Sequence, residues 1–181
     1  MQNLVGYPPK NALLHGSTKR LVDEFLWHQP DKGIVASYTP KKRDVKDHFD
    51  LFRGVDQIES FAQASIGACG VFSECKKHHL NQLQLKEKFV PTFISIGQVI
   101  FHYYLMVDET FICMANIKFY KFRQMIADGR IYKVPRELDL KQYFKDFNAE
   151  DLKNYNLSKD FKLVAELFDV TGRAIKKDIL F

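Results

Sequence analysis

Residues Gly54 to Cys75 carry the strongest constraint on the fold. Val55, Ile58, Phe61, Ala62, Ser65, Ile66, Cys69 and Phe72 recur at three- and four-residue steps, which is the period of a helix. The other faces carry Ala64, Gly67, Ala68 and Gly70 rather than charges. Such a helix is surrounded by protein on most sides. An interior glycine costs about 1 kcal/mol of helix stability relative to alanine, so Gly67 and Gly70 predict close approach of another backbone. Lys76 and Lys77 suit the negative end of the helix dipole and close the element.

The rest of the chain supplies strands to wrap that helix. Leu21 to Trp27 and Gly33 to Thr39 read as two strands joined by a turn over Pro30 to Gly33. Phe93 to Met106, Thr110 to Phe122 and Gln124 to Val134 read as further strands. Asp108-Glu109 marks a turn, and Asp128-Gly129 marks either a hairpin or a bulge. Phe161 to Phe168 and Ala174 to Leu180 predict a last hairpin across Asp169 to Gly172. Residues 135–158 break the β pattern and read as a helical insertion. Within it, Asn148 with Asp151 caps a short helix over Leu152 and Tyr155. The first 20 residues are weakly patterned. One antiparallel sheet around one long central helix, with a single core, satisfies this order as an α+β domain spanning 1–181.

The chain has 181 residues, 46% of them hydrophobic, which predicts a packed core rather than disorder. No apolar run reaches bilayer length, and the N-terminus lacks the plan of a signal peptide. No membrane span and a cytoplasmic location are therefore expected. Cys69, Cys75 and Cys113 are odd in number and irregularly spaced, so no disulfide framework is predicted. Cys75-Lys76-Lys77-His78-His79 lacks a second ligand pair and reads as a solvated helix end, not a metal site. The net charge of +5 gathers at Lys41-Lys42-Arg43, Lys76-Lys77 and Lys176-Lys177. That field suits an acidic partner, and no nucleic-acid motif accompanies it.

Two groups stand out as acid–base candidates. His48 lies in Asp47-His48-Phe49-Asp50, on a loop or strand end, and Glu59 lies in the second turn of the central helix. Ala62-Gln63-Ala64 follows closely, with Gln63 one turn after Glu59 and able to orient it. These features resemble the 3-hydroxyacyl-[acyl carrier protein] dehydratases of the hotdog fold. His48-Phe49, Gly54, Glu59 and Ala62-Gln63-Ala64 match that family's motif, and the likeness spans residues 20 to 134 and 160 to 181. Asp47 stands where the family has glycine, and Asp50-Leu51 where it has Pro-Gly. The spacing from His48 to Glu59 is shorter, and the insertion is extra.

The resemblance implies dehydration of a carrier- or CoA-bound 3-hydroxyacyl thioester, as in fatty acid biosynthesis. It implies a homodimer or a higher even oligomer, and no metal or redox cofactor. His48 and Glu59, one from each subunit, would serve as base and acid. Histidine suits a base near neutral pH. A carboxyl kept protonated by an apolar pocket suits the acid, and Glu59 lies among Ile58, Phe61 and Ala62. Backbone N–H groups at Gly54 or Val55 suit an oxyanion, with glycine permitting close approach by substrate. Asp56 is the rival catalytic group if the protein is instead a thioesterase of this fold. His102 reads as a core or interface histidine. Phe101, Tyr103 and Phe119 read as core, or as the lining of an acyl tunnel. A catalytically silent acyl- or partner-binding protein is the third reading.

Overall fold

Strand β2 (Gly33–Tyr38) is buried at every residue. Its side chains alternate between two separate cores: Ile34, Ala36 and Tyr38 face one, and Val35 faces the other. Strand β7 (Phe111–Lys121) repeats the pattern, with Phe111, Cys113 and Ala115 on one side and Ile112 and Met114 on the other. Successive side chains of a strand point to opposite faces, so this sheet is covered on both. The single core expected from the sequence is therefore corrected to one on each face of the sheet, with a smaller third cluster of Val71, Leu85 and Phe89.

The computed structural model describes residues 2–179. Its main sheet is antiparallel, in the order β1-β2-β7-β8-β9-β4, with β5 also pairing β9. The remaining strands are β1 (Glu24–Gln29), β4 (Phe89–Ser95), β5 (Gln98–Phe101), β8 (Gln124–Lys133) and β9 (Lys162–Lys176). A second small ladder joins β3 (Leu51–Phe52) to β6 (Leu105–Met106).

The main core lies under the central helix. That helix comprises α2 (Gly54–Ala62), a π-helical stretch Gln63–Cys69 and α3 (Gly70–His78). The π stretch was not legible in the periodicity. Within it, Ser65 Oγ donates to the Phe61 carbonyl at 2.7 Å, a back-bond that disturbs the regular ladder. The predicted close backbone approach at the two glycines is corrected as well. Gly67 faces the Leu13 side chain, and Gly70 has open space beside it. The N-terminal segment, including α1 (Pro9–Ala12), closes the flank of the helix by burying Leu4, Ala12 and Leu13. Helix α4 (Gln82–Lys88), opened by an Asn81–Gln84 capping box, was also unpredicted.

The second core is the work of the insertion. Helices α5 (Leu140–Tyr143) and α6 (Ala149–Asn154) bring Phe144 and Leu152 onto Trp27, Val35, Ile112 and Met114. Asn148 and Asp151 form the expected capping box.

Two strand predictions need correction. The final hairpin is absent, because β9 runs unbroken through Asp169 to Gly172; Leu180 of that prediction lies outside the described residues. Asp169 takes a left-handed φ of 53°, and its N–H donates to Asp128 Oδ1 at 2.7 Å. Opposite it the β8–β9 register slips between Ala127 and Gly129. The turn-like residues thus make a bulge, which bends a strand without reversing it. Gly172 is there because a Cβ would lie 2.5 Å from Ile66 of the central helix. The long strand Phe93 to Met106 is divided into β4, β5 and β6, since β4 and β5 follow the two halves of the bent β9. Its ladder stops where the His102 and Tyr103 N–H groups both donate to the Val164 carbonyl. Among the described residues, no helix is long and apolar enough to cross a membrane.

Candidate functional site

The side chain that organises the site is Gln63, buried in the π stretch. Its Oε1 accepts the Leu21 N–H at 2.8 Å, and its Nε2 donates to the Lys19 carbonyl at 2.7 Å. Those two backbone partners settle which amide atom is which, since an N–H needs an acceptor and a carbonyl a donor. Nε2 also donates to Glu59 Oε1 at 2.8 Å. Ser60 Oγ donates to the Leu21 carbonyl at 2.7 Å. The segment 19–21 is thereby fixed to the helix, and the Glu59 carboxyl is aimed.

On the other side of that carboxyl stands His15, with Nε2 3.6 Å from Glu59 Oε1. His15 is half-buried, and its Nδ1 is buried without a hydrogen-bond partner. Burial lowers its pKa below the usual histidine value, and the Glu59 charge opposes that shift. Nothing in the sequence marked His15, a lone histidine in the weakly patterned N-terminus.

Two cavities meet at this pair. A vestibule of about 440 Å³ is walled by Lys19, Arg43, Asp44, Arg53 and Asp56. A slot of about 80 Å³ runs past Ile66, Gly67, Pro91 and Phe93 towards β4. His15 and Glu59 line both. Glu59 is more open than its apolar neighbours implied, with its side chain 45% exposed.

His48 lies elsewhere in the same chain and lines neither cavity. Its loop is built from left-handed residues, with φ of 60° at Asp47, 54° at Phe49 and 57° at Asp50. Asp47 adopts the conformation that glycine adopts most readily, which aspartate tolerates better than most. His48 Nδ1 is 3.1 Å from the Leu51 carbonyl oxygen. A carbonyl only accepts, so the proton is assigned to Nδ1, and Nε2 keeps its lone pair. Phe49 beside it is 93% exposed.

The other predicted site groups fall into place around these. Asp56 faces the vestibule but is clamped by Arg53, Nε to Oδ2 at 2.6 Å and Nη2 to Oδ1 at 2.9 Å. Those bonds raise the Arg53 pKa. Gly54 opens the helix, but the space above it is filled by the Phe101 ring, 2.7 Å from where a Cβ would sit. The room expected there for substrate is thus taken within the single chain. Val55 is exposed. His102 pairs with Glu166 at 3.0 Å, and Arg130 holds the same carboxylate. Phe101, Tyr103 and Phe119 line neither cavity at Glu59, while Phe93 lines the slot. Burial pushes the Cys113 thiol up to about 12 and raises Cys69 and Cys75 as well, which disfavours thiolate chemistry. At the far end of the helix His78 turns to Glu74, at 3.3 Å, and Cys75 faces a separate cavity of about 330 Å³. Among the described residues, no group of three or more His, Cys, Asp or Glu side chains is placed to hold a metal ion.

No family model matches the sequence, and no curated protein matches it. Solved structures do match. A chain of the dehydratase heterocomplex ApeI:P from Xenorhabdus doucetiae is similar with a TM-score of 0.67. The match covers 96% of this chain and 94% of that one at 12% identity. The uncharacterized protein PH1136 from Pyrococcus horikoshii is similar with a TM-score of 0.54, covering 94% of this chain and 96% of that one at 11% identity. At such identities the likeness is one of fold. This chain has the hotdog fold: an antiparallel sheet around a central helix, here with a helical insertion on the opposite face.

Proposed function

We propose that the protein dehydrates a 3-hydroxyacyl thioester, carried on acyl carrier protein or CoA, to a trans-2-enoyl thioester and water. The observation that carries this reading is the placement of Glu59. Its carboxyl is aimed by an immobilised amide at the junction of a charged vestibule and a narrow slot. A thioester arm suits the vestibule and an acyl tail suits the slot. The Glu59 proton goes to the leaving hydroxyl. The base takes the proton from the α-carbon, the C–O bond breaks, and a C=C bond forms.

The base in this reading is His48, whose Nε2 lone pair is free. It does not share a cavity with Glu59 of its own chain, so it serves the Glu59 of a second copy. Strand β4 ends the sheet and exposes Phe93 and Ile94. An exposed apolar edge of this kind is a template for pairing, which supports a homodimer or a higher even oligomer. Hydrolysis led by Asp56 is disfavoured by the Arg53 clamp, which engages both carboxylate oxygens.

Incubation with a 3-hydroxyacyl pantetheine thioester and measurement of enoyl absorbance test the reading. Wild type forms the enoyl product, and both His48→Ala and Glu59→Gln abolish it. Release of free thiol instead would mean a thioesterase. Neither product would leave the silent acyl- or partner-binding alternative.

A further inference from the structure

The dehydratase reading uses Glu59 and His48 and leaves the histidine nearest the acid without a task. We propose that His15 is the specificity residue for the substrate's 3-hydroxyl, its Nε2–H and the Glu59 carboxyl converging on the leaving oxygen. This inference rests on the dehydratase reading and names the group of the substrate that the site recognises.

Geometry supplies the first argument. The 3.6 Å between His15 Nε2 and Glu59 Oε1 is too long for a hydrogen bond between them. A single hydroxyl oxygen can nevertheless lie within about 2.8 Å of both, an ordinary hydrogen-bond length. The position is also a passage. His15 and Glu59 line both the vestibule and the slot, so an acyl chain reaching from one to the other runs between them.

The second argument fixes the proton. His15 Nδ1 is buried and unpartnered. A proton there would be a buried donor with no acceptor, which is costly. The neutral ring therefore carries its proton on Nε2, facing Glu59, and burial favours the neutral ring. On the carboxyl, Oε1 accepts from Gln63 and is the oxygen that lies 3.6 Å from His15 Nε2. Of the charged neighbours, Arg43 pairs with Asp44 at 3.3 Å and Arg53 with Asp56, and Lys19 also lines the vestibule.

The leaving oxygen thus receives two hydrogen bonds, from His15 Nε2–H and from the O–H of the Glu59 carboxyl. As the C–O bond breaks, the oxygen takes the Glu59 proton and departs as water. The α-proton goes to the base, and His15 keeps its own. A saturated acyl thioester offers His15 nothing to bind.

Calorimetry on the full chain tests this with two unreactive ligands, a 3-hydroxyacyl pantetheine amide and its 3-deoxy counterpart. Wild type binds the hydroxylated ligand about tenfold more tightly, the worth of one good hydrogen bond. H15L loses most of this preference and keeps only what the Glu59 hydrogen bond contributes. H15Q, which restores an N–H donor, recovers most of the preference, and unchanged affinity for the deoxy ligand shows that both variants fold. An H15L variant that keeps the tenfold preference overturns the proposal. So does a wild type that turns over the hydroxyacyl thioester yet binds the two amides equally, and that result leaves the dehydratase reading standing. A wild type that neither binds nor turns over overturns that reading and this inference with it.

Discussion

Gln63 holds Glu59 at 2.8 Å with an amide whose other two hydrogen bonds go to the backbone of Leu21 and Lys19. One buried side chain therefore ties the N-terminal segment to the central helix and sets the direction of the carboxyl. Gln63→Leu keeps the apolar volume and removes all three bonds. One buried backbone group, the Leu21 N–H, and one part-buried group, the Lys19 carbonyl, then lose their partners, at up to about 1–3 kcal/mol each. The expected loss is about 2–4 kcal/mol, seen as a fall in Tm of roughly 5–12 °C. A Tm within about 1 °C of wild type would show that this amide is not the tie described.

His28 makes the fold acid-sensitive. It is 4% exposed; its Nδ1 accepts the Leu4 N–H at 3.2 Å, and its ring meets Phe72 edge-on at 4.9 Å. Its Nε2 is buried with no partner. Burial lowers its pKa from 6.5 to about 4. Above pH 6.5 neither the folded nor the unfolded state carries this proton, and there is no penalty. Between 6.5 and about 4 the unfolded chain takes the proton and the folded one does not, so stability falls as pH falls. The loss across that window is up to about 3 kcal/mol. Urea denaturation at pH 7.5, 5.5 and 4.5 should show it, and His28→Gln should remove that part of the slope. Parallel slopes for the two proteins would remove His28 from the account.

Ile94 tests the sheet edge. It is 52% exposed on β4, the strand that ends the sheet. If two copies pair along β4, Ile94→Lys puts like charges close together across a two-fold axis. Light scattering after size exclusion should show a dimer for wild type and a monomer for the variant. The circular dichroism spectrum should not change, because the residue is largely outside the core. A wild type that is monomeric at micromolar concentration would remove the interface on which the His48 reading depends.

Legibility of the sequence followed local signal strength. The central helix, the insertion and its Asn148 cap were readable, because a long period and a capping box are local features. Asp169 to Gly172 misled because a bulge and a turn use the same residues; only the approach of Ile66 to Gly172 separates them, and that contact is tertiary. The break between β7 and β8 was legible at Arg123 from the two apolar runs, but not as a turn type, because Phe122 and Arg123, with φ of 54° and 63°, do the work usually given to Asn-Gly. The second core was hidden in β2 and β7, whose continuous apolar runs do not say which face each residue serves. At the site, Glu59 and Gln63 were legible one helical turn apart. His15 was not, because a contact across 44 positions leaves no local pattern.

Subunit mixing separates the two histidines. His48 is proposed to serve the Glu59 of a second copy, whereas His15 faces the Glu59 of its own chain. Two inactive variants, His48→Ala and Glu59→Gln, are unfolded together and refolded as a mixture. Half of the dimers are then mixed, and each mixed dimer holds one site with both wild-type groups and one with neither. Activity should return to about a quarter of wild type, by the statistics of a symmetric dimer. A mixture of His15→Leu with Glu59→Gln cannot rebuild such a site, because in each chain one member of the pair is lost. Its activity should not exceed the average of its two components. Recovery in the second mixture but not the first would reverse the assignment, placing His15 across the interface and His48 within the chain.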